Sequence, residues 1–129
     1  MHDYVINFYN VNLMEKTLNI YISHRNGQKK QIVVTGVLTH FFENILEENI
    51  LSIEEFQIKD FLKEQYEELE LRKNYCWPID YQNIDELMKF LNENAYVYIK
   101  IYSSFGMYGW IIAKHIMVKE LDENYEHKN

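Results

Sequence analysis

Apolar residues recur at every second position near both ends of this chain and at every third or fourth position in its middle, and that switch of period limits the fold more than any other feature. Tyr4, Ile6 and Phe8 alternate with Val5, Asn7 and Tyr9, and Leu18, Ile20 and Ile22 alternate with Thr17, Asn19 and Tyr21. Successive side chains of an extended chain point to opposite faces, so each run predicts a strand. Asn26-Gly27 follows, with Ile32, Val33 and Val34 beyond it. Both turn residues tolerate positive φ, so a tight hairpin should pair a third strand back on the second. Gly36 breaks the pattern. Val37 to Leu46 then reads as a strand, with a short buried helix as the alternative.

From Ser52 the period lengthens. Ile58, Phe61, Leu62, Tyr66 and Leu69 lie three and four residues apart with acids between them, which predicts the main helix. Its start has two solutions: a capping box of Ser52 with Glu55, or an extended Ile50 to Ile58 feeding a helix that begins near Lys59. Trp77-Pro78 marks a connection, because proline disfavours helix at the residue before it. A second helix follows with Ile84, Leu87, Met88 and Leu91 on its apolar stripe and Asn83 with Glu86 as its cap. Val97, Ile99 and Ile101 then alternate with Tyr96, Tyr98 and Tyr102. Ser103 to Gly109 reads as a hairpin loop, matching neither a Walker phosphate loop nor a dinucleotide fingerprint. Trp110 to Val118 is apolar on both sides, as a central strand would be.

The order strands, helices, strands predicts an α+β fold: a mainly antiparallel sheet of about five or six strands with two helices packed on one face. The length of 129 residues suits one domain, expected over residues 1–121, with a frayed polar tail at 122–129. Tyr9, Tyr21, Tyr96, Tyr98 and Tyr102 fall opposite the aliphatic residues of their strands. An uncovered sheet face bearing tyrosines would suit a partner, a second copy of the chain included.

Charge is distributed as unevenly as hydropathy. Between Glu43 and Glu70 ten acidic side chains stand against Lys59 and Lys63, a net charge of −8 in a chain whose total is −7. Such a field attracts cationic partners and repels nucleic acid. Arg25, Lys29 and Lys30 make only a small basic patch, so nucleic-acid binding is not expected. Gly109 to Val118 is too short for a membrane span and carries Lys114 and His115. Met1, His2 and Asp3 do not begin a signal peptide, and the single Cys76 has no intramolecular disulfide partner, so a cytoplasmic location is expected.

Catalytic chemistry has no motif here. No pair of the five histidines, and no cysteine pair, stands at a ligand spacing such as His-x3-His or Cys-x2-Cys, so neither metal nor cofactor is expected. Cys76 reads as a space-filling thiol, and His40 and His115 read as structural histidines among apolar neighbours. The expectation is a binding protein whose partner contacts are Glu54, Glu55, Glu64, Tyr66, Glu67 and Glu68, the carboxylates steering and the aromatic anchoring.

Several passages together carry a resemblance: the early antiparallel strands, Gly36-Val37-Leu38 to Phe42-Glu43-Asn44, Trp77-Pro78, and Ser103-Ser104 leading to Gly109-Trp110. The chain resembles the small acidic α+β immunity proteins encoded beside polymorphic toxins in low-GC Gram-positive bacteria. The resemblance implies a non-enzymatic inhibitor that binds a cognate toxin domain tightly. Two other readings stay open: an acidic nucleic-acid mimic that blocks a host defence nuclease, and a small ligand-binding domain or enzyme with a pocket between sheet and helices near His115, Trp110 and Tyr98.

Overall fold

The computed structural model describes residues 4–42, 49–72, 79–103 and 106–121. These form β1 (Tyr4–Asn12), β2 (Thr17–His24), β3 (Lys29–Thr35), β4 (Thr39–Phe42), β5 (Asn49–Phe56), α1 (Ile58–Glu64), α2 (Tyr66–Arg72), α3 (Ile84–Glu93), β6 (Val97–Ser103), β7 (Gly106–Ala113) and β8 (His115–Leu121). All strand pairs are antiparallel, in the order β4-β7-β6-β5-β1-β2-β3-β8. β1 and β5 meet only at Tyr4–Ile50 and Val5–Asn49. The sheet is therefore two four-stranded antiparallel halves joined by a short seam.

The halves close on each other. Ile6, Leu18, Ile20, Ile22, Ile32 and Val34 of the first half form one core with Ile99, Ile101, Ile111 and Ala113 of the second, each at most 1% exposed. The opposite face of the second half carries the helices: Ile58, Phe61, Leu62, Leu69, Leu87 and Leu91 pack with Tyr98 and Ile112. The result is three layers, with the second half-sheet in the middle.

Opposite the seam, two strands turn the corner between halves together. β3 passes into β4 through Gly36, and β7 into β8 through Lys114. The Lys114 N–H donates to the Thr35 carbonyl at 3.1 Å and the Leu38 N–H to the Ile112 carbonyl at 2.8 Å, so pairing continues through the bend. Gly36 has φ 65°, and a Cβ there would stand 2.9 Å from Lys114 Cβ. Gly109 serves a different need. A Cβ on it would lie 2.3 Å from Phe42 Cδ1 and 2.8 Å from the Phe41 carbonyl. Gly109→Ala should therefore push β4 off β7 and cost about 1–3 kcal/mol. Faster amide exchange at residues 39–42, with β2 and β3 unchanged, is the expected readout.

Several local expectations are met. Gly27 takes φ 95°, and the Asn26 side chain accepts from the Gln28 N–H at 2.9 Å in the β2–β3 turn. Asn83 caps α3 by accepting from the Glu86 N–H at 2.8 Å. β6 and β7 form the expected hairpin, but its loop is shorter than Ser103 to Gly109, because Ser103 pairs with Gly106 and residues 106–109 already belong to β7. Other expectations need correction. The α+β class is as expected, helices packed on an antiparallel sheet, but among the described residues there are eight strands where five or six were expected, and the main helix breaks at Gln65 to give three helices where two were expected. Residues 39–42 are strand, in line with the strand reading of Val37 to Leu46. Of the two starts open for the main helix the structure has the second: the stretch before α1 is extended through Phe56, so Ser52 and Glu55 cap nothing, and Asp60 accepts from the Gln57 N–H at 3.2 Å. Trp110 to Val118 divides at Lys114 into β7, which is internal, and β8, which lies at the sheet edge. Cys76, Trp77, Pro78, residues 43–46 and the tail at 122–129 lie outside the described residues.

The tyrosine face also resolves differently. A bulge between Ile6 and Phe8 shifts β1 by one residue, so Tyr9 pairs with Ile20 on the inner side and packs against His40 and Phe42. Burial there lowers the His40 pKa. Tyr98 is wholly buried beneath the helices, whereas Tyr21 stays on the outer face of the first half, stacked on Phe8 at 4.4 Å.

Candidate functional site

The acidic residues come from three consecutive elements. Strand alternation sends Glu54 and Glu55 to opposite faces of β5: Glu54 stands across from Lys100 on the helix side, and Glu55 across from Ile99 on the inner side. Both are exposed. α1 then runs over β6 with Ile58, Phe61 and Leu62 facing down, which brings Glu64, its last residue, above Tyr98 and Lys100. Tyr98 donates its hydroxyl to Glu64 Oε2 at 2.7 Å, and the Lys100 ammonium donates to Oε1. The Lys100 nitrogen also lies 4.8 Å from the ring centre of Phe56, 5.2 Å from Tyr98 and 5.9 Å from Tyr102. Its side chain is 10% exposed, against 39% for Glu64.

Burial alone would favour the neutral amine. Against it, the hydrogen bonds and charges of Glu64 and Tyr102 carry the Lys100 pKa above its ordinary value. Burial, then the Glu64 carboxylate, drives the Tyr98 phenol strongly upward. Both groups keep their protons at neutral pH, so the trio supplies neither an amine nucleophile nor a phenolate base. Its effect is to hold the end of α1 on β6.

The sign of the pH dependence follows. A group whose folded pKa exceeds its unfolded one contributes stability below the unfolded value and loses it as pH rises through the folded value. Stability from Tyr98 and Lys100 should therefore be constant at neutral pH and fall once pH passes 10.0 and 10.5, their ordinary values. Thermal unfolding across that window checks this. A Tyr98→Phe, Lys100→Met protein should show a shallower alkaline decline than wild type.

α2 begins after Gln65, whose N–H still bonds to the Phe61 carbonyl at 2.9 Å. Leu69 turns inward, and Tyr81 donates its hydroxyl to the Leu69 carbonyl at 2.5 Å. Tyr66, Glu67 and Glu68 turn outward, Tyr66 being 52% exposed. The six residues singled out by sequence thus divide. Tyr66, Glu67 and Glu68 share the outer side of the helix layer, Glu54 and Glu64 flank Lys100, and Glu55 lies apart. Glu43, Glu47 and Glu48 lie outside the described residues. Sequence reasoning missed Lys100. Its signal was a lone lysine between Tyr98 and Tyr102 at the same strand parity.

His115, Trp110 and Tyr98, expected to line one pocket, do not come together: His115 is exposed on β8 while Tyr98 and Trp110 pack against Phe61. A cavity of about 480 Å³ opens elsewhere between sheet and helices, over Phe56, Ile58, Met88, Tyr96 and Val97. Among the described residues no three His, Cys, Asp or Glu side chains converge as a metal site, and no helix is long and apolar enough to cross a membrane. No family model, curated protein or solved structure matches the chain. The ground for a functional reading is therefore the site's own geometry and charge.

Proposed function

We propose that this protein is a non-enzymatic inhibitor, an immunity protein acting in the cytoplasm that neutralises a cognate bacterial toxin by docking its basic domain on the outer side of the helix layer. The charge division between layers carries this reading. The described residues of the second half-sheet and the helices hold eleven carboxylates against Lys59, Lys63, Arg72, Lys89 and Lys100. A toxin that cleaves nucleic acid needs a cationic groove, and carboxylates around an exposed aromatic such as Tyr66 complement one. Glu64 contributes less than its position in sequence implies, because Lys100 neutralises it.

Reversing Glu67 and Glu68 to lysine should slow association with the toxin domain by roughly 10- to 100-fold at low salt, flatten its salt dependence and leave unfolding within about 0.5 kcal/mol of wild type. Unchanged association kinetics reject this face. A nuclease outside the toxin's own operon that is inhibited in competition with DNA would instead favour the nucleic-acid mimic. The cavity over Phe56 and Met88 supports a second reading as a small-ligand domain, its volume being within the ordinary range for ligand sites. A small-molecule thermal shift abolished by Met88→Trp would support it.

A further inference from the structure

The outer face of β1-β2-β3-β8 differs from the rest of the molecule. Strand register places Phe8, Asn10, Asn19, Tyr21, Gln31, Val33, Met117 and Lys119 on it, with Lys29 beside Leu121 at one end. Among the described residues none of its strand positions is Asp or Glu, although the chain has 20 acidic residues. Glu120, the one acid of β8, pairs with Lys30 on the inner side and accepts from Gln28 Nε2 at 3.3 Å. This half with its turns, residues 4–36 and 114–121, carries Lys16, Arg25, Lys29, Lys30, Lys114 and Lys119 against Glu15 and Glu120, a net charge of +4. The layers holding residues 37–42, 49–72, 79–103 and 106–113 carry −6 by the same count. Among the described residues charge is thus divided between the two halves, and Lys29 and Lys119 are the cations that strand register places on the outer face itself.

We propose that this outer sheet face binds the acidic helix layer of a second copy of the chain, head to tail. The charges are complementary. Each side also offers apolar area beside its charge: Met117, 52% exposed, on the sheet, and Tyr66 and Leu71, 52% and 69% exposed, on the helices. Amides already aligned across the sheet, Asn19 to Asn10 at 3.2 Å and Gln31 to Asn19 at 2.9 Å, give the face a fixed polar surface. Four strands about 4.8 Å apart and seven residues at about 3.4 Å each give roughly 450 Å² per copy, the size of a weak, reversible contact. The two surfaces lie on opposite sides, so the contact is heterologous and extends with concentration instead of closing. This inference needs no toxin, and its test is separate from that of the inhibitor reading.

Sedimentation of the full chain in about 10 mM salt, where the Debye length is about 30 Å, should show a mass that climbs with concentration, and in about 1 M salt it should return to monomer. Lys29→Glu with Lys119→Glu should remain monomeric, as should Glu67→Lys with Glu68→Lys. Mixed one to one, these two variants bring together one intact pair of surfaces and one charge-swapped but complementary pair, so a mass that climbs with concentration should return. Matching melting temperatures exclude misfolding as the cause. A wild-type protein that stays monomeric at low salt, or variants that fail to combine, would overturn the proposal. So would uptake of a short oligothymidylate that Lys29→Glu with Lys119→Glu abolishes, which would give the face to nucleic acid.

Discussion

Phe61→Ala is expected to lower stability by about 4 kcal/mol, the largest effect of any single truncation considered. Phe61 has no exposed surface. Its ring meets Tyr98 edge-on at 5.1 Å and Trp110 at 5.0 Å, so it joins α1 to both central strands of the second half-sheet. α1 has only seven residues and depends on packing rather than propensity for its stability. Removing the ring leaves a cavity that two rigid aromatics cannot close, and the helix layer above the Lys100 cluster should loosen with it. Equilibrium urea unfolding measures the loss, and amide exchange in α1 and α2 should rise before exchange in β2. A cost under about 1 kcal/mol would mean that the helices are held by other contacts.

Glu64→Gln is expected to cost about 2–3 kcal/mol, and Lys100→Met clearly less. Breaking a buried pair by removing one partner typically costs about 3–5 kcal/mol, but Glu64 is partly solvated and the figure is reduced accordingly. The asymmetry arises because Lys100 has little access to water: without the carboxylate its cation is left with Tyr102 and the faces of Phe56 and Tyr98. Glu64 without Lys100 keeps the Tyr98 hydroxyl and its exposed edge. The double variant should recover most of the Glu64→Gln loss, since a methionine fits an aromatic site with no charge to compensate. A double-mutant cycle reads this as a coupling of at least about 1 kcal/mol. Equal single costs that simply add would show that the two groups do not act as a pair.

Much of the secondary structure was legible because its causes are local. The two-residue period around Ile20 and Ile32, Asn26-Gly27 at positive φ, and Asn83 with Glu86 each act within a few residues. What escaped the sequence depends on long-range packing. A bulge at Asn7 moves Tyr9 across the strand without any residue that announces it. Lys114 reads as one polar position in an apolar run, yet it is where the chain changes half-sheets. Tyr98 and Ile99 both reach full burial because β6 is covered on both faces, by helices and by the first half, and alternation alone cannot reveal a second cover. For the candidate site, the concentration of acid was plain in the sequence. Its internal counter-charge was not, because Glu64 and Lys100 are 36 residues apart.

The most direct test of the account is a pull-down from cells that encode the protein, with wild type and the Glu67→Lys, Glu68→Lys variant as parallel baits and each washed at low and then high salt. The expected result is one basic protein, held stoichiometrically by wild type, weakened on the charge-reversed bait and identified as a toxin that wild type inhibits. No specific partner on either bait, or equal retention on both, would contradict it.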